Sequence, residues 1–339
     1  MTAPAQATKP VSRLGNVKRG RQGGARRYCF YGVESVGKTT LAAHSPKPIF
    51  IDLENGSSEL DVARYTFENG RVVPDTFFDV MEAVDDLTYN EHEFETLVID
   101  SLDRVEALIW DYCLERDSGR KSELNKTGRK LDSIESYGFG KGYNVALDEF
   151  RALLGKLERL RETRQMNIIF VGHAHVKMFK NPSGEDYDRY NLRAHHGIGG
   201  QTKEWVDVIG FCCFEEFGDK LEGEGKLARP KGFSTGRRLL KLEREAAFDA
   251  KSRISLPREM EMESTNPWAP FQAAIDQGKS EPKELLALIG KELERIGDDA
   301  LTDKVRAACK GVVDPALLNR YRTELTTRTP KEEAPENNE

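Results

Sequence analysis

The chain has 339 residues, 38% hydrophobic and 32% charged, with 51 Lys plus Arg against 57 Asp plus Glu for a formal net charge of −6. That length suits one large domain, or a core with a smaller appendage, and is ample for a hydrophobic core. No apolar run approaches the roughly 18 residues of a membrane span, and the first residues lack a secretory apolar segment. Five cysteines without CxxC spacing read as free thiols, so the expectation is a cytoplasmic protein with no membrane partner.

Charge is uneven along the chain. Residues 1–27 hold seven basic side chains (Lys9, Arg13, Lys18, Arg19, Arg21, Arg26, Arg27) and no acid, leaving 44 basic against 57 acidic residues beyond them. A basic arm on an acidic body is suited to nucleic-acid contact, with a solvated tail as the plainer alternative. Its basic residues alternate with Gly and Pro rather than an apolar helical face, which argues against a transit peptide.

After this flexible arm, taken as 1–25, strands and helices alternate. A β-rich run at 27–31 enters glycines, and a short helix from about 37 to 44 stops at Ser45-Pro46. A second apolar strand, 48–53, is followed by helical periodicity at 77–87, a buried strand at 96–99 and helix again at 103–115. From about 144 to 162, Val145, Leu147, Phe150, Leu153, Leu154, Leu157 and Leu160 recur at helical spacing. Residues 167–171, 205–214 and 237–242 read as further strands. This order implies an α/β fold with a mostly parallel sheet flanked by helices. Two polar stretches, 116–142 and 177–201, read as long loops, which in a compact domain are usually functional or disordered. The periodicity from about 263 to 328 indicates a small helical C-terminal region, and 329–339 an acidic disordered tail; the core is thus placed at 26–262.

The strongest motif is Gly32-Val33-Glu34-Ser35-Val36-Gly37-Lys38-Thr39, followed by Thr40, between an apolar strand and a helix. It matches the phosphate-binding loop. Its glycines let backbone N–H groups turn toward phosphate oxygens, and the helix N-terminus favours the same anion. Lys38 is expected to reach the β- and γ-phosphates and Thr39 to ligate Mg²⁺. The strand Leu97-Val98-Ile99-Asp100 places a carboxylate where a second Mg²⁺-facing group belongs. The next residue is Ser101 rather than Glu, so a general base must come from elsewhere. Glu54, at the end of the strand following the P-loop helix, is the candidate, while Asp52 reads as structural. His173 and His175 share a face of an extended chain, and His173 stands where a γ-phosphate sensor is expected. A zinc site joining them to His195 and His196 lacks Cys or acidic partners at ligand spacing.

Taken together, GVESVGKTT (32–40), FIDLENG (50–56), LVIDS (97–101), YGFGKGY (137–143), FVGHAH (170–175), EWVDVIGF (204–211) and AKSRISLPREM (250–260) give the chain a resemblance to the RecA-type ATPase core. More closely, it resembles the phage nucleotide-binding proteins of that superfamily, which include single-strand annealing recombinases. The resemblance implies a RecA-like P-loop NTPase core in which Lys38, Thr39 and Asp100 hold ATP and Mg²⁺. Glu54 would be the catalytic carboxylate, and His173 would replace the amide sensor of RecA. The segment after the sensor strand would be a DNA-binding loop, with Lys177, Lys180, Arg189 and Arg193 on phosphates and Tyr190 stacked on a base. Lys251 and Arg253 would reach a neighbouring subunit's γ-phosphate in a homo-oligomer whose ATP sites are shared. Phe271-Gln272-Ala273-Ala274 matches a short polymerisation hook literally, though Phe and Ala in an amphipathic helix are commonly packing residues. The function implied is ATP-dependent binding and annealing of single-stranded DNA in phage recombination, with a single-strand-binding or other recombination protein as a possible partner. A non-catalytic mediator and a helicase-type motor share the same core and stay open.

Overall fold

The computed structural model describes residues 23–122, 124–218, 232–278, 282–312 and 315–328. Its first strand, β1 (Arg27–Gly32), is followed by α1 (Lys38–Ala43), β2 (Pro48–Asp52), β3 (Ala63–Arg64), α2 (Phe77–Tyr89), β4 (Thr96–Asp100), α3 (Leu102–Asp117) and α4 (Lys141–Arg164). Then come β5 (Asn167–Phe179), β6 (Tyr187–Leu192), α5 (His196–Trp205), β7 (Val208–Gly218), β8 (Gly232–Lys241), β9 (Lys251–Ser252) and β10 (Glu259–Glu261). Four helices follow: α6 (Trp268–Gly278), α7 (Pro282–Ile296), α8 (Asp299–Cys309) and α9 (Pro315–Thr326).

The sheet order is β10-β8-β7-β1-β5-β4-β2-β3, with β6 added to β5 and β9 to β7. Neighbours from β7 through β3 are parallel, whereas β8 and β10 run antiparallel at one edge. This is the RecA-like arrangement, in which one strand, β5, separates the P-loop strand β1 from the Asp100 strand β4. Alternating residues of each central strand enter opposite cores. Cys29, Tyr31, Leu97, Ile99, Ile168 and Phe170 pack under α2 to α5, while Tyr28, Phe30, Val98, Ile169 and Val171 pack under α1 and α6. Burial on both faces is why these strands read as continuous apolar runs rather than as alternation.

The register brings the strand ends level. Asp52 is opposite Asp100, Asp100 opposite Val171, and Gly32 opposite His173. The carboxyl ends of parallel strands are where α/β sheets bind ligands.

Three sequence expectations change. The loop expected at 177–201 is largely regular: β5 continues to Phe179, turns through Asn181-Pro182-Ser183-Gly184, returns as β6, and passes into α5. Its charged residues alternate along the hairpin and masked a strand that is exposed on one side. Trp205 ends α5 rather than starting a strand, which begins at Val208. The helical C-terminal region divides by packing. In α6, Trp268, Phe271 and Ile275 belong to the core beneath Tyr28 and Phe30, whereas Leu285, Ile289, Leu293, Val305, Leu318 and Leu325 of α7 to α9 form a separate cluster. Phe271 is fully buried, edge-on to Tyr28, Phe30 and Trp268, so its literal hook motif is a packing element.

Arg27, the last cation counted in the basic segment, is clamped by Asp207 and Glu158 and lies over the Trp205 ring. The rest of the expected arm, up to residue 22, and the acidic tail lie outside the described residues. The five cysteines are free thiols. No helix among the described residues is long and apolar enough to cross a membrane.

Candidate nucleotide site

The P-loop is held by the sheet on which it grows. Val33 donates its backbone N–H to the Cys212 carbonyl on β7 at 3.2 Å, and Val36 is buried in the core under α1. A Cβ built on Gly32 would fall 1.9 Å from the same Cys212 oxygen. Gly32, Val33 and Val36 therefore anchor the loop, while Glu34, Ser35, Gly37, Lys38, Thr39 and Thr40 line a cavity of about 320 Å³. Glu54, Gly56, Asp100, Val171 and His173 complete its wall.

Lys38 is only 7% exposed, and its ammonium donates to the carbonyls of Gly32 and Val33 at 3.2 and 2.7 Å. Burial lowers its pKa. A buried cation whose hydrogen bonds among the described residues all go to its own loop's carbonyls is well matched to an incoming polyphosphate. The Thr39 hydroxyl donates to Asp100 Oδ2 at 2.7 Å, the two oxygen donors that Mg²⁺ takes in this loop type. Asp100 is 4% exposed and burial pushes its pKa up to about 6, with further repulsion from Asp52 and Glu54. A cation against this carboxylate would relieve that strain.

Asp52 shapes the turn that carries Glu54. Its carboxylate accepts from the backbone N–H groups of Glu54, Gly56 and Ser57 and from the Ser57 hydroxyl. Glu54 itself projects into the cavity, where its Oε1 accepts the Ser101 hydroxyl at 2.7 Å and its Oε2 lies 3.8 Å from His173 Nε2. The other imidazole nitrogen, Nδ1, is 3.0 and 3.2 Å from the two Asp103 oxygens. Hydrogen bonding to Asp103 raises the His173 pKa above its ordinary value, and this outweighs partial burial. Asp103 thus fixes the ring plane and favours the charged imidazole, leaving Nε2 turned toward Glu54. Ligand atoms of Glu54, Asp103 and His173 fall within 4.8 Å of one another, but each is already engaged in this chain of contacts. Ser101 and Asp103 are the residues sequence reasoning missed. Their signal was available, as a hydroxyl in place of the usual Glu and an acid one helical turn beyond the strand.

His175, His195 and His196 stand apart from this group. His195 caps α5 through Gly197 N–H and stacks on Tyr143 with ring centroids 4.0 Å apart.

The remaining expected site residues separate into two groups. Lys177, Lys180 and Arg193 are exposed on or beside the β5–β6 hairpin, Lys180 paired with Asp186. Arg189 is not at the surface. It is 4% exposed, ion-paired with Asp249 and bonded to the Phe248 carbonyl, so it braces the hairpin and is unavailable to DNA phosphates. Tyr190 is half-buried with its ring 5.1 Å from Phe211, which removes it as a free stacking platform. Fully exposed Phe139, between Gly138 and Gly140, is the aromatic the sequence reading passed over. Lys251 donates to the carbonyls of Lys203 and Val206 at the end of α5, and Arg253 lies against Asp207. Neither lines the P-loop cavity, so any contact they make with a γ-phosphate would be with a neighbouring subunit's.

Among solved structures, the chain is similar to the crystal structure of the RadB recombinase, at 16% identity and a TM-score of 0.31, over 66% of this chain and 83% of that one. No curated protein matches it. A family model described as an AAA domain matches residues 25–254, which takes in β1 through the segment after β9 and every residue of the P-loop cavity. A P-loop seated on a parallel sheet, a strand-terminal Asp bonded to the loop threonine and this match together place the chain in the AAA domain family of P-loop NTPases.

Proposed function

We propose that the chain is an ATP-hydrolysing RecA-type protein that binds single-stranded DNA and pairs or anneals complementary strands in phage recombination, acting as a homo-oligomer. One observation carries the reading: a single strand, β5, presents His173 to the P-loop cavity and then extends as the hairpin bearing Lys177 and Lys180. Nucleotide state and polymer contact are joined by a continuous backbone.

In this reading Lys38 holds the β- and γ-phosphates, and Thr39 and Asp100 hold Mg²⁺, which supplies charge neutralisation at the anhydride. Glu54, oriented by Ser101, accepts a proton from the attacking water. His173, oriented by Asp103, donates a hydrogen bond to the terminal phosphate from Nε2. Lys177, Lys180 and Arg193 neutralise DNA phosphates, and Phe139 offers a face for a base. Lys251 and Arg253 serve the adjoining subunit's site.

The test is ATP hydrolysis by the purified protein with and without single-stranded DNA, at low and moderate salt. Several-fold stimulation that weakens with salt is expected. Tight ATP binding with no stimulation would replace this reading with that of an ATP-regulated mediator. Directional unwinding of a forked duplex would replace it with a motor.

A further inference from the structure

Beyond the loop and the start of α1, the cavity residues come from one side of the P-loop, the β5-β4-β2 side. On the opposite side, β8 brings a further cation to the same loop. A Cβ built on Gly37 would lie 2.9 Å from Arg238 Nη1 and 3.9 Å from its Cζ, so the guanidinium rests on the loop residue preceding Lys38. Arg238 is held in place from behind. It is paired with Phe214 of β7, its carbonyl accepts the Met262 N–H at 2.8 Å, and the following Leu239 and Leu240 are buried.

Its electrostatic setting differs from that of its neighbours. Arg237 is paired with Glu215 and Glu261, and Lys241 with Glu259. The half-buried Arg238 side chain has no ion pair or hydrogen bond with any described residue. A half-buried guanidinium is costly without an anion, and five fixed N–H donors suit a phosphate better than any other ligand here.

Resting on the reading of the loop as an ATP site, we infer that Arg238 is a nucleotide-contact residue, supplied by the same subunit, that binds the α/β-phosphate end. The γ end is defined by Glu54, His173 and Asp100 across the loop, so Arg238 contributes to affinity for ATP and ADP alike and not to the chemical step.

The experiment is a calorimetric titration of Mg²⁺·ATP and Mg²⁺·ADP into wild type, Arg238→Ala, Arg238→Lys and Lys38→Ala, with thermal melts of each. Removing a charge-assisted phosphate hydrogen bond should weaken both nucleotides by about tenfold or more in Arg238→Ala, with Arg238→Lys intermediate. Unchanged affinity for both nucleotides in a folded Arg238→Ala overturns the inference. Weakening confined to ATP overturns the α/β assignment, because it would put Arg238 at the γ-phosphate. If Arg238→Ala melts early, Arg238→Lys decides by the same two criteria. Wild type that fails to bind either nucleotide, or binds no better than Lys38→Ala, overturns the ATP-site reading itself, a result distinct from any of these.

Discussion

The two halves of β5 differ although one strand contains both. Residues 167–171 lie between β1 and β4, with Ile168, Ile169, Phe170 and Val171 buried on both faces. Residues 174–179 leave the sheet, pair with β6, and expose Val176, Lys177 and Met178. His173 stands at the changeover. The inner half is buried and paired on both edges, and this gives the imidazole a defined place. The outer half has solvent on one side, as the proposed contact with single-stranded DNA requires. The division predicts that inner variants change chemistry and outer variants change binding.

The severest test falls on the inner half. Glu54→Gln keeps the hydrogen bond from Ser101 but cannot take a proton, so turnover should drop by about 10²- to 10⁴-fold with ATP affinity retained. Steady-state hydrolysis beside an ATP titration reads both; unchanged turnover would remove the chemical role of this edge.

Next comes a contrast within the hairpin. Arg189→Ala removes one of the cations on Asp249, which keeps Lys203, along with the bond to the Phe248 carbonyl, and should cost roughly 2 kcal/mol of stability, visible as a lowered Tm. A Lys177→Ala/Lys180→Ala double variant should melt as wild type but bind single-stranded DNA less tightly. Its log–log salt slope should be shallower by about 0.7 for each DNA phosphate no longer neutralised. Equal behaviour of the two variants would erase the distinction between brace and contact.

The smallest effect concerns the tie between the halves. From α3, Asp103 holds His173, and one turn later the Glu106 carboxylate accepts the N–H of His195, beyond the hairpin. Burial raises the Glu106 pKa to about 7. For an acid whose folded pKa exceeds its unfolded value, the unfolded chain loses its proton first, so stability declines as pH climbs from about 4.5 to 7 and then levels off. Glu106→Gln, which still accepts the N–H, should therefore raise Tm at pH 8 by more than at pH 5. Melts at the two pH values check the sign.

Much of the inner half was legible in the sequence. Continuous apolar runs marked β1, β2, β4 and the start of β5, and the P-loop spacing located the site, because both follow from local backbone requirements. Glu54 and His173, singled out from their strand-end positions, both line the P-loop cavity. What escaped depended on packing between distant segments. The Asp103–His173 contact spans 70 residues and that of Arg189 with Asp249 spans 60, so the position of Asp103 just after the strand marks an acid near the site without naming its partner, and Arg189 has no local signature at all. Arg189 and Lys177 look alike in sequence, and only the loop carrying Phe248 and Asp249 buries one of them.

The Cys212 carbonyl pressed against Gly32 has a consequence for how this protein tolerates change. Position 32 is constrained twice, by the phosphate loop and by the closeness of β1 to β7, where no Cβ fits. Any replacement there must spread the sheet before it can alter the loop, so alleles at 32 will behave as folding defects. Replacements that reshape the phosphate cradle without spreading the sheet belong instead at Glu34, Ser35 and Thr40, on the cavity wall.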